Sequence, residues 1–312
     1  MTVLRAGFDA FGRRVKRNAW RTRATTARRP RTEGLSPLRY SNFDVLALRG
    51  HEALAFAQAQ LASDVLALED GRWQWSAYLT PQGRAIVVMP IVRLAADALD
   101  LLVPAERGAE VAQRLQRFVF RTKVAIAMRG DVGARARLHA PAERPVTIER
   151  SGDGYRVDLS ETVSLDVGAA PSDGDETGFR AWAHDAAVPL LAGAAVEAHT
   201  PHALALDALD AVSTRKGCYP GQEIVARMHF LGRNKRHLCR FAAVTPADAP
   251  EPVPEPGAAI TLDDGTAAAE IVFALKAESG NLRGLAVAHE QGLANASGYR
   301  VGGMAVVLVR VR

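Results

Sequence analysis

Short apolar runs set off by Gly, Pro, Asp and Asn recur from Phe43 to the C-terminus, and this punctuation constrains the fold more than any other feature of the chain. Runs of this kind are strands bounded by turns. Asp44–Leu48, Trp73–Leu79, Ala85–Ile91, Asp100–Val103 and Val124–Met128 read as strands, the second and third flanking the turn Thr80-Pro81-Gln82-Gly83. Two segments break the rhythm. His51–Ala62 places Leu54, Phe56, Ala57 and Leu61 at helical spacing. Gly108–Phe120 presents Val111, Leu115, Phe118 and Val119 as a buried stripe, with Glu110 near its start and Arg121 and Lys123 at its end, an order of charge that suits the helix dipole. The mixture argues for α+β layers rather than a parallel doubly wound sheet, and neither a GxGxxG nor a GxxxxGK[ST] loop is present.

Residues 140–176 are rich in Pro, Gly, Ser and Asp, with short strands expected around Val146 and Val163. Thr177–Ala186, carrying Phe179 and Trp182, reads as a helix that stops before Pro189. The proline-rich run Thr245–Gly257 reads as a loop or linker. Leu238–Val244, Ala259–Leu262, Ala267–Leu275, Leu282–Ala288 and Ala305–Val311 are short strands between Gly and Asp turns, the pattern of a small C-terminal barrel. The expected division is therefore a basic, disordered extension over 1–40, a body over 41–236 and a barrel over 237–312.

Charge divides along the same line. The net charge of +5 conceals eleven Lys and Arg against two acids in residues 1–40, a balance of +9, which leaves the body with 28 bases, 32 acids and a balance of −4. A mildly acidic body is a poor nucleic-acid surface, so direct nucleic-acid binding is not expected from it. Leu4, Phe8, Phe11 and Val15 fall at helical spacing among Arg5, Arg13, Arg14, Lys16 and Arg17. Such a start reads either as a mitochondrial transit peptide or as a plain basic extension. No apolar run is long enough to span a bilayer, so a soluble protein without membrane association is expected. Two cysteines, without CxxC or Cys/His ligand spacing, point to a reducing compartment.

One stretch stands apart: Arg215-Lys216-Gly217-Cys218-Tyr219-Pro220-Gly221-Gln222-Glu223-Ile224-Val225-Ala226-Arg227. Gly217 on one side of Cys218 and Pro220-Gly221 on the other predict a tight exposed bend. Pro220, then Glu223 and Arg227 four apart, predict a helix opening just after the cysteine. Free backbone N–H groups there, with Arg215 and Lys216, would favour a thiolate. A lone cysteine is also commonly a small buried hydrophobe, and that reading suits Cys239, which lies in an alternating strand. Arg233, Lys235 and Arg236 read either as anion contacts or as a solvated charge run. His199 and His202 read as surface or structural residues rather than metal ligands.

The run Lys216-Gly217-Cys218-Tyr219-Pro220-Gly221-Gln222-Glu223 resembles the K-G-C-Y-x-G-Q-E signature of the YgfZ family, and the likeness continues through Ala226-Arg227 and Gly232 to Lys235-Arg236. Weaker resemblance covers Phe56–Val65, Leu115–Val124, Trp182–Pro189 and Pro201–Leu209. The resemblance implies a T-protein-like fold: two intertwined α+β subdomains around a central funnel that holds tetrahydrofolate or a derivative, plus a C-terminal β-barrel. It implies a folate-binding accessory protein for assembly or repair of iron–sulfur enzymes, including tRNA-modifying ones, in the bacterial cytoplasm, or in the mitochondrial matrix if the tail is a transit peptide. Cys218 would be the functional thiol, forming a mixed disulfide or ligating iron or sulfur, with Lys216, Gly217, Tyr219, Gly221, Gln222, Glu223 and Arg227 shaping its loop. Conventional turnover is not expected.

The competing enzyme reading is tetrahydrofolate-dependent aminomethyl transfer, the T-protein's own reaction. T-proteins resembling this chain carry a pair of acids where it has Val87 and Val88, and a valine cannot orient an amine. Two further departures are Ala187, where relatives usually carry Gly, and Ala205, where they usually carry Asn. A third reading is RNA binding through the basic tail.

Overall fold

The computed structural model describes residues 42–141, 148–169, 174–232, 234–243, 253–277, 281–294 and 298–311. Expectations for residues 1–40, for Val146, for Arg233 and for most of the Thr245–Gly257 loop lie outside them. The strands are β1 (Asn42–Arg49), β2 (Arg72–Leu79), β3 (Ala85–Ala95), β4 (Ala98–Pro104), β5 (Ala125–Leu138), β6 (Ile148–Ser151), β7 (Gly154–Asp158), β8 (Val163–Gly168), β9 (Arg236–Ala243), β10 (Ala259–Leu262), β11 (Ala267–Lys276), β12 (Leu282–His289), β13 (Tyr299–Val301) and β14 (Met304–Arg310). The α-helices are α1 (Ala53–Gln60), α2 (Gly108–Gln116), α3 (Glu176–Asp185), α4 (Gln222–Leu231) and α5 (Glu290–Ala294).

Strands β2-β3-β4-β1-β5-β8-β7-β6 form one antiparallel sheet. Ala85–Val92 is apolar without alternation because both faces of β3 are covered. Met89 and Ile91 face a core shared with Ala53, Phe56 and Ala57 of α1 and Val111 and Leu115 of α2. Val88 and Val92 face the other core, with Trp73, Leu102, Tyr155 and Phe179. Pro90 is tolerated because the β3–β4 ladder runs only from Ile91 onward, so no β4 partner meets its missing N–H.

The sheet curls around that second core. Tyr155 Oη on β7 donates to Asp100 Oδ2 on β4 at 2.8 Å, and Arg150 on β6 donates to the Leu94 carbonyl on β3 at 3.2 Å. Arg49 Nη2 donates to Asp100 Oδ1, so a carboxylate with no exposed surface has a partner at each oxygen. An unpaired buried carboxylate would be costly.

Strands β10-β11-β12-β9-β14-β13 close a barrel around Cys239, Phe241, Ile260 and Ile271. Leu238, Val272, Leu285 and Val287 face outward from it into the core of the curled sheet. The interior position of Cys239 agrees with the core reading.

Two expectations need correction. The second helix stops at Gln116, so Phe118 and Phe120 are 48% and 92% exposed instead of extending the stripe of Val111 and Leu115. Asp44 on β1 sets its start: Asp44 Oδ2 accepts from the Gly108 N–H at 2.9 Å. The strand expected at Val124–Met128 runs on to Leu138 through Arg129-Gly130-Asp131, because β1 and then β8 supply its ladder partners.

Candidate functional site

The cysteine loop lies against the edge strand β2. Ala62 N–H donates to the Ala77 carbonyl on β2 at 2.9 Å, and Ser213 N–H donates to the Ala62 carbonyl at 2.8 Å. Residues 61–63 thus sit between β2 and the chain that leads into the motif. Lys216 then turns inward. It is 8% exposed, and its Nζ donates to the Leu61 and Ser63 carbonyls at 2.6 and 2.8 Å. Tyr219 Oη donates to the Ser213 carbonyl at 2.9 Å, and Gln222 Nε2 donates to the Lys216 carbonyl at 3.3 Å. These bonds tie the loop shut around Cys218, whose own side chain is exposed. Tyr219 is buried in the core of the curled sheet, so the loop is anchored on the inside and open on the outside.

Gly221 supplies the bend. Its φ of 82° is left-handed, and α4 begins at the next residue. A Cβ on Gly221 would lie 2.7 Å from both the Gly83 Cα and the Thr80 carbonyl oxygen. The turn between β2 and β3 is therefore packed directly on the start of the helix after the cysteine. Gly217 lies at an exposed bend, but unlike Gly221 its φ is not left-handed and a Cβ there would meet nothing within 4 Å.

Burial lowers the Lys216 amine to about 8, with Asp64 opposing the shift, and raises the Tyr219 phenol to about 12. The Lys216 ammonium is engaged by the Leu61 and Ser63 carbonyls, so it fixes the shape of the loop. Glu223 and Arg227 are exposed on α4, and among the described residues no ion pair joins them. Lys235 is exposed just before β9. Arg236 is half-buried, and its charge, after desolvation, helps to depress the imidazole of His199.

Beside the loop is a cleft of about 450 Å³, lined by Asp64, Gln74, His202, Asp207, Asp210, Ser213, Thr214 and Arg215, with Val225 and His229 contributed by α4. Sequence reasoning missed it. Its residues are scattered from Asp64 to His229 with no common spacing, and only the folded chain brings them together. His202, read as surface or structural, is half-buried here with an Nδ1 that has no partner among the described residues. His199 is fully buried, with the Glu270 carboxylate 3.9 Å from its Nε2. Among the described residues, no group of three or more His, Cys, Asp or Glu side chains could hold a metal ion.

Both departures at Ala187 and Ala205 fall at left-handed positions, with φ of 55° and 52°. Gly and Asn are the residues that tolerate this conformation best. The Gly and Asn that the sequence resemblance leads one to expect at these two positions would suit that backbone.

No family model matches the chain. It is 26% identical over 315 residues to the tRNA-modifying protein YgfZ of Klebsiella pneumoniae, covering 82% of this chain and 94% of that one. It is 25% identical over 231 residues to the tRNA-modifying protein YgfZ of Vibrio vulnificus, covering 67% and 71%. The chain is thus similar, over most of its length, to proteins of the YgfZ family. Its fold is that of the T-protein: the glycine cleavage system aminomethyltransferase T of Bartonella henselae superposes with a TM-score of 0.61 at 13% identity, covering 88% of this chain and 84% of that one. Val87 and Val88, expected from the sequence resemblance at the place of the T-protein acids, are 1% and 6% exposed and face opposite cores.

Proposed function

We propose that this protein is a folate-binding accessory factor for iron–sulfur enzymes of the bacterial cytoplasm, tRNA-modifying ones among them, and that Cys218 is its working thiol. The observation that carries the reading is the exposed Cys218 on a loop bound down by Lys216, Tyr219 and Gln222. Holding one thiol outward at a fixed place suits transfer or exchange with a second macromolecule. Similarity to relatives called tRNA-modifying proteins supports the client class.

The fold family implies tetrahydrofolate, and the concave face of the curled sheet fits it. Trp73 Nε1 is buried there without an acceptor among the described residues, and the Trp73 and Trp75 rings meet edge to face at 5.8 Å. Trp182 of α3, 5.4 Å from Phe179, packs against the same core. These rings would stack on a pterin and Trp73 would donate to it, as buried indoles seek an acceptor. The folate would supply one-carbon or redox chemistry, and the protein would bind and orient it. Aminomethyl transfer is the weaker reading, because Val87 and Val88 offer no carboxylate to the amine.

Complementation of a strain lacking its own YgfZ tests the proposal, with a tRNA-thiolating iron–sulfur enzyme as readout. Wild type should restore thiolation and Cys218→Ala should not. Equal rescue by both would remove the thiol from the account, and folate-dependent ammonia release from an aminomethyl donor at enzyme-like rates would replace it.

A further inference from the structure

The cleft beside the cysteine loop has a sign. Among the described residues, Asp64, Asp207 and Asp210 line it with one guanidinium, that of Arg215. Asp207 and Asp210 are exposed and therefore free to meet a ligand from solvent. Asp64 is held in place by Gln58 Nε2, which donates to its Oδ1 at 3.0 Å. One wall is α4, through Val225 and His229. The His229 ring meets the Phe230 ring edge to face at 5.1 Å, and there the wall becomes an apolar ledge: Phe230 and Leu231 are 73% and 65% exposed. Large apolar side chains this exposed, adjoining a concave polar site, mark an interaction surface. An acidic hollow beside a bare aromatic fits a segment that carries a cation next to apolar residues. It repels a nucleic-acid backbone.

We propose that the cleft and the Phe230–Leu231 ledge form a docking surface for a basic, apolar-flanked peptide segment of a partner protein, whose Arg or Lys enters among Asp64, Asp207 and Asp210. Arg215 lines the cleft and Cys218 follows three residues later in the chain, so the docking surface adjoins the loop that carries the exposed thiol. The identity of that partner as an iron–sulfur client rests on the proposed function. The surface itself does not.

The test is fluorescence anisotropy on the full chain with a labelled dodecapeptide of alternating Arg and Leu, and with its Gln-for-Arg counterpart. The Arg peptide should bind at least about tenfold tighter than the Gln peptide, because its charges are complementary to the cleft. Asp207→Asn with Asp210→Asn should lose about tenfold in affinity, and Phe230→Ser should lose several-fold. Asp153→Asn with Glu161→Gln, which removes the same charge from the β6–β7 and β7–β8 turns, should lose little. All of these side chains except Phe230 are exposed acids, and an unchanged melting temperature shows that each variant folds. Equal affinity for the two peptides would overturn the proposal, as would cleft variants that weaken binding no more than the control pair. Displacement of the peptide by free arginine at equal molar concentration would also overturn it, in favour of a small-molecule pocket. Cys218→Ala should leave peptide affinity unchanged, so failure of the thiol in complementation and failure of the docking surface are read separately.

Discussion

The Lys216 ammonium lies 5.0 Å from the centre of the Tyr219 ring, so side chains from both sides of Cys218 meet across the loop. A cation on an aromatic face is worth more when desolvated, as it is here. The arrangement makes the loop's geometry depend on a buried amine whose proton is weakly held.

That amine has a pH signature. The folded value is about 8 against 10.5 unfolded, so between these two the unfolded chain keeps a proton that the folded chain gives up. Stability arising from Lys216 therefore rises with pH through that window. Comparing wild type with Lys216→Met by urea unfolding, the difference should move in favour of wild type by about 3 kcal/mol between about pH 7 and 10.5. Parallel pH curves for the two proteins would refute the assignment.

His199 acts in the opposite pH range. Burial, then the charges of Arg236, Arg84 and His289, hold it at about 4 against 6.5 unfolded. Its contribution is complete above the unfolded value and is lost as pH falls towards the folded one. Of the stability wild type loses between about pH 7 and pH 5, about 2 kcal/mol should be absent in His199→Gln. Denaturant midpoints at the two pH values measure this.

The cysteines should separate cleanly by reactivity. Cys218 is exposed, whereas Cys239 is buried in the barrel, donates to the His237 carbonyl and has its thiol pushed up to about 11. At about pH 8, a disulfide reagent should titrate one thiol in the native protein, none in Cys218→Ala, and both in denaturant. Rapid reaction of Cys239 in the folded chain would contradict the barrel.

Gly221→Ala should be among the more damaging single changes in the motif. It combines a left-handed φ with a Cβ 2.7 Å from backbone atoms of the neighbouring turn. The expected cost is about 2 kcal/mol or more, seen as a lowered melting temperature and faster proteolysis near α4. Gly217→Ala, which meets nothing, should be nearly silent for stability.

Ala205→Asn should stabilise. The φ of 52° at Ala205 is one that Asn adopts more readily. A gain of about 0.5–1 kcal/mol is expected in urea unfolding, and a loss would show that the alanine methyl packs better than the backbone prefers.

Residues whose information is local were legible in the chain itself. The β10 strand, the Pro-Gly turn before α4 and the helix that follows depend on turn chemistry and periodicity within a few residues. So does the prominence of Cys218 in a short motif. The tertiary structure decided what depends on distant partners. Lys216 looked like a charge beside a thiol, but the carbonyls of Leu61 and Ser63 claim its protons. β5 looked like a short strand, but β1 and β8 extend it through glycine and arginine. The acidic cleft has no sequence pattern, since Asp64 and Asp207 become neighbours only when residues 61–63 are laid between β2 and the motif. Propensity and turn geometry act over one or two turns of chain, whereas burial, desolvation and charge proximity are properties of three-dimensional neighbours.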